Sequence, residues 1–221
     1  MKIILSAILF FSSITANSQV QFGFFAGPQV TDVRYIINEI KQESSLKIRA
    51  NIGAQFKVPF ENKLSFAPSI MYNLRGYKVK FNGLSFPPDS LALDNNTSFH
   101  TVELAFLFQH DFNTKPGHFF FRIGPSLDFA LFGKEKYNTA TSTVKRKMIF
   151  SFADYGHYLA SAILQFGFEN KDGLFVYGHY NYSLTTMNNA DGGPGIGNRA
   201  AGITIGKFLK RKKIVMDTRV K

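Results

Sequence analysis

A chain of 221 residues has room for one sizeable domain and not for two. It contains no cysteine, which excludes disulfides and thiolate metal sites. A formal net charge of +11 would point a cytosolic protein towards nucleic acid, but the N-terminus reads as an export signal and argues against that partner.

Met1 and Lys2 form a short basic start, and residues 3–11 are a compact apolar run. Residues 12–18 are small or polar except Ile14, with Ala16 and Ser18 at the two positions a signal peptidase reads. Residues 1–18 are therefore expected to be a signal peptide cleaved before Gln19. The apolar run is too short for the ~20 residues of a spanning helix, and no later stretch supplies one.

In the rest of the chain the dominant period is two. The first strand is expected at 20–29. At 47–58 alternation is unbroken: Lys47, Arg49, Asn51, Gly53, Gln55 and Lys57 lie on one face, with Ile48, Ala50, Ile52, Ala54, Phe56 and Val58 on the other. Strand 64–75 aligns Leu64, Phe66, Ile70, Tyr72 and Leu74. Strand 99–112 sets Val102, Leu104, Phe106 and Phe108 against Thr101, Glu103, Gln109 and Asp111. Strand 119–132 sets Phe119, Phe121, Ile123, Leu127, Phe129 and Leu131 against Arg122, Ser126 and Asp128. Further strands are expected at 152–169, 174–184 and 199–208; the phase of the sixth is open around Asp154 to His157. Pro68 and Pro125 are expected to mark bulges or breaks in pairing.

The connections alternate in length. Those at 59–63, 113–117 and 170–173 are tight and rich in Pro, Gly, Asn and Asp, as hairpin turns are. Those at 30–45, 76–98, 133–147 and 185–197 are long. Short periplasmic turns alternating with long outer loops characterise membrane barrels. The expected fold is all-β: an eight-stranded antiparallel up-and-down transmembrane β-barrel over 19–208, followed by a basic periplasmic tail at 209–221. Its outer loops, above all 76–98, are the expected contact surface; Arg34, Tyr35, Pro87 and Pro88 are loop candidates.

Alternation does not by itself separate inside from outside. A soluble secreted lipid-binding barrel would turn its apolar face inward; the length of the apolar faces and the one-sided loops favour lipid. Tyr72, Tyr77, Phe112, Phe119, Tyr155 and Tyr182 fall near strand ends, where interfacial aromatics are expected. The inward faces would carry Lys47, Arg49, Arg75 and Arg122 against Glu103, Asp128 and Glu169. Buried charges need partners, and eight strands leave a lumen just wide enough for side chains to fill. A lumenal ion-pair network is expected rather than an anion-selective pore.

The segments Phe22 to Gly27, Pro68 to Gly76, Val102-Glu103-Leu104, Asp154-Tyr155-Gly156, Tyr180 to Leu184 and Gly202 to Phe208 together resemble the PorT-like outer-membrane β-barrel family of Bacteroidota. Ala105 departs from the Pro such barrels often carry there. The resemblance implies the fold and the outer membrane but no defined activity. One branch of the family belongs to a secretion machine, which makes a secretion or envelope-assembly component the alternative function.

No enzyme, cofactor or metal is expected. His100, His110, His118, His157 and His179 show no metal-binding spacing. His179 and Ser183 share a face but sit about 13 Å apart along a strand, too far to share a proton. The expected surroundings are outer-membrane lipid, with envelope or secretion proteins as partners, no nucleic acid, and a monomeric barrel. The tail with Lys210, Arg211, Lys212 and Lys213 is a solvated segment or a contact for anionic headgroups or an acidic partner.

Overall fold

The computed structural model describes residues 20–83, 85 and 91–209. The leader at 1–18, Pro87, Pro88 and the basic tail with Lys210, Arg211, Lys212 and Lys213 lie outside the described residues. The strands are β1 (Gln21–Ile37), β2 (Ile40–Lys41), β3 (Glu43–Ser45), β4 (Lys47–Pro59), β5 (Leu64–Lys80), β6 (Asp94–Asp111), β7 (His118–Asn138), β8 (Thr143–Lys147), β9 (Tyr158–Glu169), β10 (Leu174–Ser183) and β11 (Gly195–Phe208). Eight of them form a ring in chain order, β1-β4-β5-β6-β7-β9-β10-β11. Antiparallel pairing of β11 with β1, from Phe208 opposite Gly23 to Gly195 opposite Ile36, closes it. Closure leaves no edge, the condition for a sheet in a solvent that offers no hydrogen bonds.

The alternation resolves with the apolar face outward. Ile52, Ile70, Phe108, Phe119, Ile123, Leu127, Phe166 and Ile203 are exposed, while Gln55, Asn73, Glu103, Arg122, Asp128 and Gln165 on the same strands are buried. An inside-out face of this extent is incompatible with water and suits lipid. The soluble barrel with a greasy interior is thereby overturned.

The strands run farther at the long-loop end than periodicity indicates. β1 continues to Ile37, β5 to Lys80 and β7 to Asn138, through segments expected as loops. Their inward positions turn mostly apolar there (Val33, Tyr35, Tyr77, Val79, Tyr137), while outward ones turn charged (Asp32, Arg34, Lys78, Lys134, Lys136), which hides the alternation from an inspection for apolar outward faces. The ladders β2, β3 and β8 pair with these extensions. In the opposite sense, β9 begins only at Tyr158. The expected start at 152 fails because Tyr155 folds inward, bridging Phe150 and Asn188, and is fully buried.

Pro68 and Pro125 interrupt hydrogen bonding without changing register. β4–β5 pairing lapses between Gln55–Ser69 and Val58–Phe66, and β6–β7 pairing between Ala105–Ser126 and Phe108–Ile123. The missing N–H removes bonds on one side only. The register shift of the β6–β7 pair lies elsewhere, at His100/Thr101.

Candidate functional site

Towards the short-turn end, the lumen holds a cluster of charges. Lys57 Nζ lies 2.9 Å from Glu169 Oε2 and 3.0 Å from Asp111 Oδ2. His118 Nε2 lies 3.3 Å from Asp111. Next along the strands, Arg122 donates to Gln109 (2.6 Å), Gln55 (2.9 Å) and Gln165 (3.3 Å). Its guanidinium sits 4.3 Å from the centre of the Phe120 ring, with Phe175 and Tyr177 beyond. A planar cation among rings and amide oxygens needs no carboxylate beside it.

The central layer is the acidic one. Arg75 Nη2 lies 2.6 Å from Glu103 and 3.1 Å from Asp128. Glu103 also accepts from Asn73 (2.7 Å), Ser126 (2.6 Å) and Asn181 (2.6 Å), and Asp128 accepts from Thr101 (2.9 Å). Beside it a void of about 20 Å³, lined by Asn51, Asn73, Glu103, His179 and Asn181, has room for about one water. Above, towards the long loops, an apolar cluster of Val33, Tyr35, Tyr77, Phe99, Met148, Tyr155, Met187 and Ile196 fills the lumen. Within it Glu135 accepts from Tyr155 Oη at 2.8 Å and pairs with Arg146.

The structure thus brings Arg75, Glu103 and Asp128 together and places Arg122 in a separate layer. Lys47 and Arg49, expected in the lumen, do not join them. Lys47 Nζ bonds Asn96 Oδ1 (2.7 Å), Thr97 O (2.7 Å) and Ser98 Oγ (2.8 Å); Arg49 Nη2 bonds Ser98 Oγ (2.8 Å). The cause lies in pairing. β4 keeps its register with β1 as far as Lys47 opposite Thr31, so its alternation does not invert. Its pairing with β5 stops at Asn51 opposite Asn73, and beyond that point Gln29 and Thr31 of β1 donate to the Leu74 and Gly76 carbonyls of β5. This end of β4 parts from β5, and both cations reach across to Ser98 on β6.

Two expected interfacial aromatics are also reassigned. Tyr77 and Tyr155 are fully buried in the lumenal cluster, and so is the loop candidate Tyr35. Tyr72, Phe112, Phe119 and Tyr182 do lie on the outer wall, where Arg34 packs over the Tyr182 ring at 5.6 Å. His179 meets Thr204 (3.3 Å) and Gln29 (3.4 Å), and Ser183 meets Ser161 (3.4 Å), so the two do not converge. Sequence reasoning passed over Lys57, Asp111 and His118 as a cluster, although their parity marked them as inward. It also missed Glu135, which lies beyond the end expected for its strand at 132.

The sequence model of an outer membrane protein beta-barrel domain matches residues 11–189. No curated protein matches the chain. Among solved structures, it is similar to the attachment invasion locus protein Ail of Yersinia pestis, at 12% identity and a TM-score of 0.46, covering 86% of this chain and 98% of that one. It is also similar to the outer membrane protein OprG of Pseudomonas aeruginosa, at 10% identity and a TM-score of 0.45, covering 88% and 98%. By its family match and its ring of lipid-facing strands, the chain belongs to the outer membrane protein beta-barrel family and is a small protein of the bacterial outer membrane.

Proposed function

We propose that the protein is a closed barrel that binds partners through its outer end and conducts nothing. The observation that carries this reading is the filled lumen: charge cluster, arginine layer, acidic layer and aromatic cluster follow one another among the described residues, and the void beside the acidic layer has room for about one water. Material invested beyond the apolar band supports it too. The extended strands are braced by β2, β3 and β8, and Ile40, Leu91 and Phe152 are 62%, 76% and 94% exposed there. Exposed apolar side chains on ordered loops suit contact with another molecule better than contact with water. The test is conductance in planar bilayers. The purified barrel is expected to leave the current at baseline, and stable open steps would sink the reading.

Within the family, the segments from Phe22 to Gly27 and from Tyr180 to Leu184 favour the PorT-like group of Bacteroidota. The leader is proposed to be removed before Gln19, which the intact mass of the membrane-extracted protein tests. No observation favours membership of a secretion machine.

A further inference from the structure

The outer wall changes chemistry at one height. Ascending β7 from the short-turn end, outward positions run through Ile123, Leu127, Phe129 and Phe132, then switch to Lys134 and Lys136. On β5 they run through Ile70 and Tyr72 to Gly76 and Lys78. At the switch His100 stacks on Phe132, ring centroids 4.4 Å apart, and bonds the Tyr72 hydroxyl. Amphipathic aromatic side chains bordering an apolar band mark the level of lipid headgroups.

Just beyond that border the lysines form a block. Lys134 stands opposite Lys147 and Lys136 opposite Lys145. Asn96 stands between Lys136 and Lys78, and Lys47 reaches the same spot by bonding Asn96 and Ser98. Like charges directly opposed on neighbouring strands destabilise a sheet, and here two such pairs lie side by side. Among the described residues, none of these six lysines pairs with a carboxylate. Glu135, between Lys134 and Lys136 in the chain, faces inward to Arg146, and the acids Glu43 and Asp94 stand opposite Lys80, one step farther out. On the outer wall at this end Arg199, by contrast, holds Asp32 at 2.6 Å.

We propose that this lysine block is a docking surface for the phosphorylated headgroup of an outer-leaflet lipid. The lipid's acyl chains would lie on the apolar wall of β5, β6 and β7, and its phosphates would sit between the opposed lysines. Continuity with the apolar band selects a lipid over a free polyanion, because only a molecule with tails covers both surfaces. Each lysine near such a headgroup layer contributes about fivefold to binding.

The test is native mass spectrometry of the full-length protein, extracted in detergent and titrated with bis-phosphorylated lipid A or with the same lipid after phosphatase treatment. Expected is at least ~10-fold weaker retention after dephosphorylation. The same loss is expected with the phosphorylated lipid for K134Q/K136Q/K145Q/K147Q, and none for K63Q/K171Q at the short turns. A heat-modifiability gel establishes that each variant is folded. If the fourfold variant does not fold, the comparison of the two lipids on the unmodified protein decides alone. Equal retention of both lipids overturns the proposal, as does soluble polyphosphate binding as tightly as the lipid.

Discussion

Arg75 on β5 meets Glu103 on β6 at 2.6 Å, and both side chains are sealed from solvent in the middle of the lumen. Asp128 approaches the same guanidinium at 3.1 Å, so one cation holds two acids. Breaking such a pair from one side leaves buried charge without a partner, which costs more than the intact pair contributes. Arg75→Met is therefore expected to destabilise the barrel by about 3–5 kcal/mol. The combined change Arg75→Met, Glu103→Gln and Asp128→Asn, which removes all three charges, is expected to cost less. The urea midpoint for loss of the heat-modifiable band in detergent measures both. A single variant less harmful than the triple would contradict the account.

Phe25 packs with Phe120, Phe175 and Tyr177, the rings around Arg122, and that packing depends on glycine beneath the ring. A Cβ added at Gly53 would lie 2.6 Å from Phe25 Cζ and 2.5 Å from the Ile70 carbonyl oxygen. Gly53→Ala is expected to cost about 1–3 kcal/mol through overpacking. The ring is the yielding half of the clash. In the background of Phe25→Leu the same substitution is expected to cost less, and urea unfolding of the four proteins of the cycle gives the coupling directly. Strict additivity would show that the ring is not what Gly53 makes room for.

The cap and the membrane-embedded barrel should respond separately to mutation. Tyr155 is buried in the apolar cluster and donates to Glu135, tying the connection between β8 and β9 over the lumen. Tyr155→Ala removes a large buried ring, a change worth about 3–5 kcal/mol in a packed core, but in a part of the molecule that can open by itself. In intact cells, trypsin is expected to cut at Lys145 to Lys147 at least ~10-fold faster than in the unmodified protein. The heat-modifiable band should persist. Loss of that band would mean that cap and barrel unfold as one unit.

The eight ring strands, the three short turns and the inward position of Arg75, Glu103, Arg122 and Asp128 were legible because period-two alternation and turn residues are local signals. The outer ends were not. Beyond Arg75 and Phe132 the outward positions become Lys78, Lys134 and Lys136 while inward ones such as Tyr77 and Val79 become apolar. The polarity of the two faces reverses, and the segments then pass for loops. Lys47 and Arg49 continue the alternation of β4 without a flaw in the sequence. What moves them outward is the end of β4–β5 pairing at Asn51–Asn73, beyond which Gln29 and Thr31 of β1 bond β5 instead, a property of pairing that one strand's sequence does not carry. Tyr155 was misplaced for a related reason: a long-range bridge to Asn188 fixes its direction.

Lipid contact makes a prediction that depends on depth. Leu127 on β7 faces outward opposite Leu104, near the middle of the apolar run that starts at Phe119 and ends at Phe132, and it is 54% exposed. Phe132 is 55% exposed but adjoins the lysine block. An arginine at the bilayer midplane of a barrel costs about 2–4 kcal/mol, and close to the interface about 0–1 kcal/mol. Leu127→Arg is thus expected to be more destabilising than Phe132→Arg, although the two sites are equally open. Reversible urea folding into lipid vesicles measures the difference. In a detergent micelle that lets water reach the wall, the gap should narrow, because it arises from the depth of hydrocarbon and not from the protein. Equal costs in vesicles would place Leu127 outside the hydrocarbon and contradict the band assigned to the outward faces of β5, β6 and β7.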